Sequence, residues 1–152
     1  MPVVTPGTYT LAALTSELNT DPIAMGYAAV FASCSSLANL LNQNPEPVGV
    51  TGGQESIFRR TVLAEDMVAG IVLTEYAALA QSNRDYLNLL FGPGQVKTGD
   101  TNVRTQLGLI FPAGTSRTNM LAAAQKLASR AEALWGDGFT VSAQTVCQAL
   151  GR

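Results

Sequence analysis

The sequence predicts an all-α protein, a compact single-domain bundle of six to eight short helices with two long turn-rich loops. Three observations carry that expectation. Apolar residues recur at three- and four-residue intervals in most segments, the period of one helix face. Ser, Thr or Asp stands where several of those segments begin, and these side chains accept the orphan N–H groups of a first helical turn. No two segments alternate apolar and polar residues as a pair of strands would.

Residues 1–7 read as a flexible start. From Thr8 to Asn19, Leu11, Leu14 and Leu18 fall on one helical stripe. Asp21-Pro22 reads as the N-cap and first residue of a second helix ending near Asn42. Leu37, Leu40 and Leu41 give that helix its apolar face, and Gly26 argues against its being unbroken. Residues 43–54 hold two prolines and three glycines, which exclude a helix and make them the first long loop.

Ser56 to Ala80 is the most apolar stretch. Phe58, Val62, Leu63, Met67, Val68, Ile71, Val72, Leu73, Tyr76 and Leu79 fall on most sides of a helix, the mark of a central buried one, with Gly70 as a break point. Ser82-Asn83-Arg84-Asp85 has the form of a capping box ahead of Tyr86, Leu87, Leu89, Leu90 and Phe91, and Gly92-Pro93 ends that helix. Residues 92–100 form the second long loop. Asp100 caps a helix carrying Val103, Leu107, Ile110 and Phe111, and Pro112–Gly114 stops it. Thr115 or Ser116 opens the next helix, which runs through Met120, Leu121, Ala124 and Leu127.

Ser129-Arg130-Ala131-Glu132 is a capping box in which the hydroxyl takes the Glu132 N–H and the carboxylate reaches back. A continuous helix through Ser129 is the alternative. Gly136–Gly138 turns the chain, and Ser142 caps the last helix. Val141 and Val146 occupy the two positions of a hydrophobic staple around that cap.

At 152 residues the chain fits one domain spanning 1–152. It is 47% hydrophobic, which excludes a disordered tail, yet no apolar run reaches the ~18 residues of a membrane span. The start lacks the charged and apolar regions of a signal peptide, so synthesis in the cytoplasm is expected. Only 13% of residues are charged and the net charge is −2, which gives no global attraction to nucleic acid or anionic lipid. Sparse charge also leaves little repulsion between copies of the chain. Cys34 and Cys147 are expected as two buried thiols in a reduced compartment, with a disulfide as the alternative.

There is no histidine, which removes the commonest general base and zinc ligand. No catalytic residue, metal site or cofactor is expected. A carboxylate hydrolase using two of Glu55, Glu65, Asp66 and Glu75 is the one enzymatic route, and caps and solvated helix charges explain those residues better. The Lys97-Thr98 step follows Val96, where a phosphate-binding loop needs glycine, so the match fails. Ser129–Leu150 loosely has the form of a helix-turn-helix, with Gln144, Gln148 and Arg152 toward its end, but without a basic footprint packing explains it better. Trp135 reads as a core residue. Arg59-Arg60 is the only basic doublet, and with Pro93, Lys97 and Arg152 it makes up the candidate interaction residues.

Asp21-Pro22-Ile23-Ala24-Met25-Gly26-Tyr27, after a short amphipathic helix, and Glu75-Tyr76-Ala77-Ala78-Leu79 resemble the opening and middle of small tailed-bacteriophage virion and morphogenesis proteins. Ile110 to Gly114, Ser129 to Gly136, and the closing Val141-Ser142, Val146 and Ala149-Leu150 extend the likeness over nearly the whole chain. The resemblance implies a virion protein of the head–tail connector region, a neck, adaptor or tail-completion component. It implies portal, neck or tail subunits as partners and a homo-oligomeric ring; the composition and charge above argue against a membrane or a nucleic-acid partner. The alternatives are another capsid- or tail-associated minor component and a DNA-contacting packaging factor.

Overall fold

The structure, a computed structural model, describes residues 2–152. Its first helix, α1 (Leu11–Thr20), begins where the Thr10 hydroxyl accepts the Ala13 N–H. It buries Leu14, Glu17 and Leu18 and leaves Leu11 at the edge. Asp21 does not open a helix as expected. It ends α1 in a left-handed conformation, and its carboxylate accepts the N–H groups of Met25, Gly26 and Tyr27. That loop replaces the first turn of the predicted second helix. The chain resumes as α2 (Tyr27–Val30) after Gly26 at φ 88°, and as α3 (Cys34–Asn42) behind the Ser33 cap.

Residues 56–80 depart furthest from expectation, and the fold is mostly helical rather than all-α. Ser56–Phe58 is a strand, β1, and Val62–Leu63 a second, β2. Only then come two short helices, α4 (Ala64–Ala69) and α5 (Leu73–Ala77), separated at Gly70. Apolar residues on most sides do not make this segment a buried helix, since Val68 is 50% and Leu73 77% exposed.

α6 (Gln81–Phe91) starts behind Ala80 without a side-chain cap, so Ser82 lies inside the helix. The second long loop contains a short strand, β3 (Gln95–Val96), antiparallel to β2 with Val62 opposite Val96. α7 (Thr101–Ile110) has the expected Asp100 cap. α8 (Thr115–Ala124) stops before Leu127, because Gln125–Leu127 forms β4, the partner of β1. α9 (Arg130–Trp135) opens on the full Ser129–Glu132 capping box, and α10 (Ala143–Ala149) on Ser142. Ten helices are thus found among the described residues.

The chain divides into two compact units, the first made of Met1–Ile57 and Leu127–Arg152, the second of Phe58–Lys126. The first buries Leu14, Leu18, Tyr27, Leu37, Leu41, Val141 and Val146 among α1, α2, α3 and α10. Tyr9, Trp135 and Phe139 pack on that core with ring centroids 5.2–5.3 Å apart. Within the segment expected as a flexible start, three residues make backbone hydrogen bonds: the Val4 N–H donates to the Ser56 carbonyl, the Pro2 carbonyl accepts the Ser56 N–H, and the Gly7 N–H donates to the Leu134 carbonyl. The second unit has its own core, with Val62, Met67, Leu87, Val96, Leu107, Ile110, Phe111 and Met120.

Cys34 and Cys147 are joined in a disulfide that ties α3 to α10 across a separation of 113 residues. The expectation of two free thiols is corrected here. Folding brings the two helices side by side, and nothing local to either cysteine encodes that neighbourhood.

Candidate functional site

Three features stand apart from ordinary packing, one in the first unit and two in the second. In the first unit, Arg130 is only 6% exposed, and α9 carries it into the core beside Glu17 of α1. Its Nε donates to Glu17 Oε1 at 2.8 Å and its Nη2 to Glu17 Oε2 at 3.0 Å, a two-pronged pairing with one carboxylate. Nη1 donates to Glu55 Oε2 at 2.9 Å. The Tyr27 hydroxyl donates to Glu17 Oε1 at 2.9 Å. Burial first, then the Glu17 charge, pushes the Tyr27 hydroxyl well above its ordinary range and keeps it a donor. Burial opposes the charge on Arg130, but the hydrogen bonds and charge of Glu17 outweigh it and raise the guanidinium further. Sequence reasoning missed this cluster. Glu17 and Arg130 lie 113 residues apart, and no local pattern links them.

The four carboxylates weighed for hydrolysis are dispersed by role. Glu55 is held by Arg130. Glu65 and Asp66 sit in the first turn of α4, where negative charge complements the helix dipole. Glu75 reaches from α5 to the start of α8, accepting the Thr115 and Ser116 N–H groups at 2.8 Å each. The Ser116 hydroxyl and these N–H groups hold its carboxyl below the ordinary range. Among the described residues, no group of three or more His, Cys, Asp or Glu side chains is placed to hold a metal ion.

In the second unit, the structure brings three of the candidate interaction residues together. The Thr98 hydroxyl donates to the Arg59 carbonyl at 2.7 Å, and the Gly99 N–H donates to the Arg60 carbonyl at 3.1 Å. Residues 59–60 therefore lie beside 97–99, and a Cβ on Gly99 would stand 3.1 Å from Arg60 Cα. Arg59, Arg60 and Lys97 are exposed there. Arg104, which sequence reasoning did not single out, joins them. Its guanidinium donates to the Thr98 and Gly99 carbonyls and stacks over Phe58 at 4.3 Å. Pro93 is exposed just past the end of α6. Arg152 lies in the other unit, where it donates to the Phe31 carbonyl at 2.9 Å and covers the Phe31 ring.

The same unit leaves large apolar side chains in solvent. Leu73 is 77%, Leu89 75% and Leu109 68% exposed, joined by Leu63, Val68, Tyr86 and Leu121. Val68, Ile71, Leu73, Tyr76, Leu87 and Phe91 line a cleft of about 250 Å³ between α4, α5 and α6. Charge is divided as well. The second unit holds seven cations (Arg59, Arg60, Arg84, Lys97, Arg104, Arg117 and Lys126) against five acids, and the first holds Arg130 and Arg152 against six acids.

No protein-family model, curated protein or solved structure gives a significant match to this chain. Among the described residues, no helix is long and apolar enough to cross a membrane.

Proposed function

We propose that this chain is a structural subunit of a tailed-bacteriophage particle, of the head–tail connector or tail-completion type, acting through protein–protein contacts rather than catalysis. The observation that carries the reading is the exposed apolar surface of the second unit. Leu73, Leu89 and Leu109 are each more than two-thirds exposed. Isolated exposed leucines are ordinary, but one small unit that keeps seven large apolar side chains in water is suited to being covered by another chain. The cations concentrated in that unit favour a partner surface that combines apolar and acidic groups.

The sequence resemblance supplies the biological setting: portal, neck or tail subunits as neighbours, and copies of the chain in a ring. A disulfide also suits a particle that is made in a host cytoplasm and then released, because disulfides persist on virion exteriors and are rare in reducing cytosol. Cryo-EM of purified particles tests the proposal by locating the chain and its neighbours. A chain that stays monomeric in native mass spectrometry and is missing from purified particles would overturn it.

A second reading, a DNA-contacting packaging factor, is favoured by the placement of Arg59, Arg60 and Lys97 side by side with Arg104. Its signature is a DNA mobility shift that weakens with salt.

A further inference from the structure

The first unit holds a buried carboxyl that no role described above uses. Glu46, in the first long loop, is 1% exposed. Its Oε2 accepts the Glu55 N–H at 2.8 Å, while its Oε1 makes no hydrogen bond. The backbone of Glu46 completes a clasp: its N–H donates to the Ala128 carbonyl at 3.1 Å, and its carbonyl accepts the Gln54 side-chain amide. Glu46 thus holds the two ends of the 46–55 loop together, while Val48 in that loop is 93% exposed.

The charged and titratable groups around it come from every neighbouring element. Glu55 faces it just before β1, with its carboxylate on Arg130 of α9. Arg130 in turn holds Glu17 of α1, which also accepts the Tyr27 hydroxyl of α2. Glu132 of α9 accepts the Asn44 amide at the entry to the loop, at 2.9 Å. The guanidinium N–H groups go to Glu17 and Glu55, and Glu46 receives none of them. An ionised carboxylate buried without a cation is costly, and such a group takes up a proton instead.

We propose that Glu46 is a proton-held latch: its carboxyl is protonated while the 46–55 loop is closed, and its ionisation releases the loop. One proton leaves Glu46 for solvent on opening. Burial, above all, pushes the Glu46 carboxyl above its ordinary range; the Glu55 N–H opposes the rise, the Glu55 carboxylate adds to it, and Arg130 lowers it in part. A carboxyl raised in the closed form favours closure fully below its ordinary pKa and loses that effect as pH rises through the raised value. Between the two, the opening equilibrium rises about tenfold per pH unit. The latch does not depend on assembly into a particle.

The test uses the full chain. A carboxyl carbon NMR titration of wild type is expected to show Glu46 with a midpoint clearly above ~4.3, the ordinary glutamate value. Amide exchange, corrected for intrinsic rates, is expected to show the Thr51, Gly53 and Glu55 N–H groups losing protection as pH rises through that midpoint. Glu46→Gln keeps an acceptor for the Glu55 N–H and cannot ionise, so its loop protection is expected to stay flat over the same range. A Glu46 midpoint in the ordinary range, or an unchanged pH dependence in Glu46→Gln, would overturn the latch. If the variant does not fold, the wild-type titration decides alone.

Discussion

Arg130 lies in the core of the first unit with both its charge partners drawn from distant parts of the chain. Burying a guanidinium and two carboxylates stabilises little by itself, because desolvation offsets most of the attraction. Removing one member is different, because it strands the others in a low-dielectric site. Arg130→Ala leaves Glu17, 6% exposed, without its cation. The expected loss is about 3–5 kcal/mol, read from urea denaturation followed at Trp135, which packs on the same core. Glu132, by contrast, was legible as a capping residue, because that part of its role is local. It is the third residue of α9 and returns a carboxylate to the Ser129 N–H at 3.1 Å. Ser129→Ala removes the reciprocal bond and is expected to cost about 1 kcal/mol in the same measurement.

Among the elements, α8 is the instructive one. Its N-cap is Gly114, which has no side chain to offer, and Glu75 of α5 caps it from 40 residues away. The close fit depends on Gly114 being glycine. A Cβ there would sit 2.7 Å from Glu75 Oε1, at a φ of +104° that disfavours any side chain. Gly114→Ala is therefore expected to lower the thermal midpoint, with a loss above about 1 kcal/mol. The Glu75 carboxyl is depressed, mainly by the Ser116 hydroxyl, so its cap is complete above the ordinary carboxylate pKa and is lost as pH falls through the depressed value. Acid titration of Glu75→Gln is expected to lack that step. Asp100, Ser129 and Ser142 start helices as expected because a cap acts within one turn of its own residue. Ser82 does not, although the same kind of pattern surrounds it. α6 begins at Gln81, two residues ahead of the start a Ser82 cap would give, and the Asp85 carboxylate accepts the Gln81 side-chain amide instead.

Across the whole molecule, each unit carries its own core, and the first adds the covalent tie between α3 and α10. Val146, Ala149, Leu37 and Leu41 bury those two helices as well, so noncovalent packing supports the same arrangement. Reduction is expected to destabilise the first unit by about 2–4 kcal/mol without unfolding it at ambient temperature, which Trp135 fluorescence with and without reductant would show. The exposed leucines predict a different pattern. Leu89→Ser and Leu109→Ser remove solvent-facing side chains, so stability should change by less than about 0.5 kcal/mol. Incorporation into particles, measured by quantitative mass spectrometry of purified virions, is expected to fall several-fold if that surface is covered on assembly.

Local signals in the sequence determined the mostly helical character, the helix starts behind Asp100, Ser129 and Ser142, and the low charge content. Each depends on residues within a turn or two of one another, where propensity, capping and glycine or proline punctuation act directly. Tertiary structure alone decided that Ser56–Phe58 and Val62–Leu63 are strands, because their partners β4 and β3 lie far along the chain and a short apolar run does not reveal its pairing. It alone decided the disulfide and the Arg130 cluster as well, each joining residues 113 apart. The candidate surface was half legible. Arg59, Arg60 and Lys97 could be named from composition, but folding placed them together, added Arg104 and put Arg152 in the other unit. Spacing along a chain records what one turn can reach, and these associations exist only after the backbone has closed long loops.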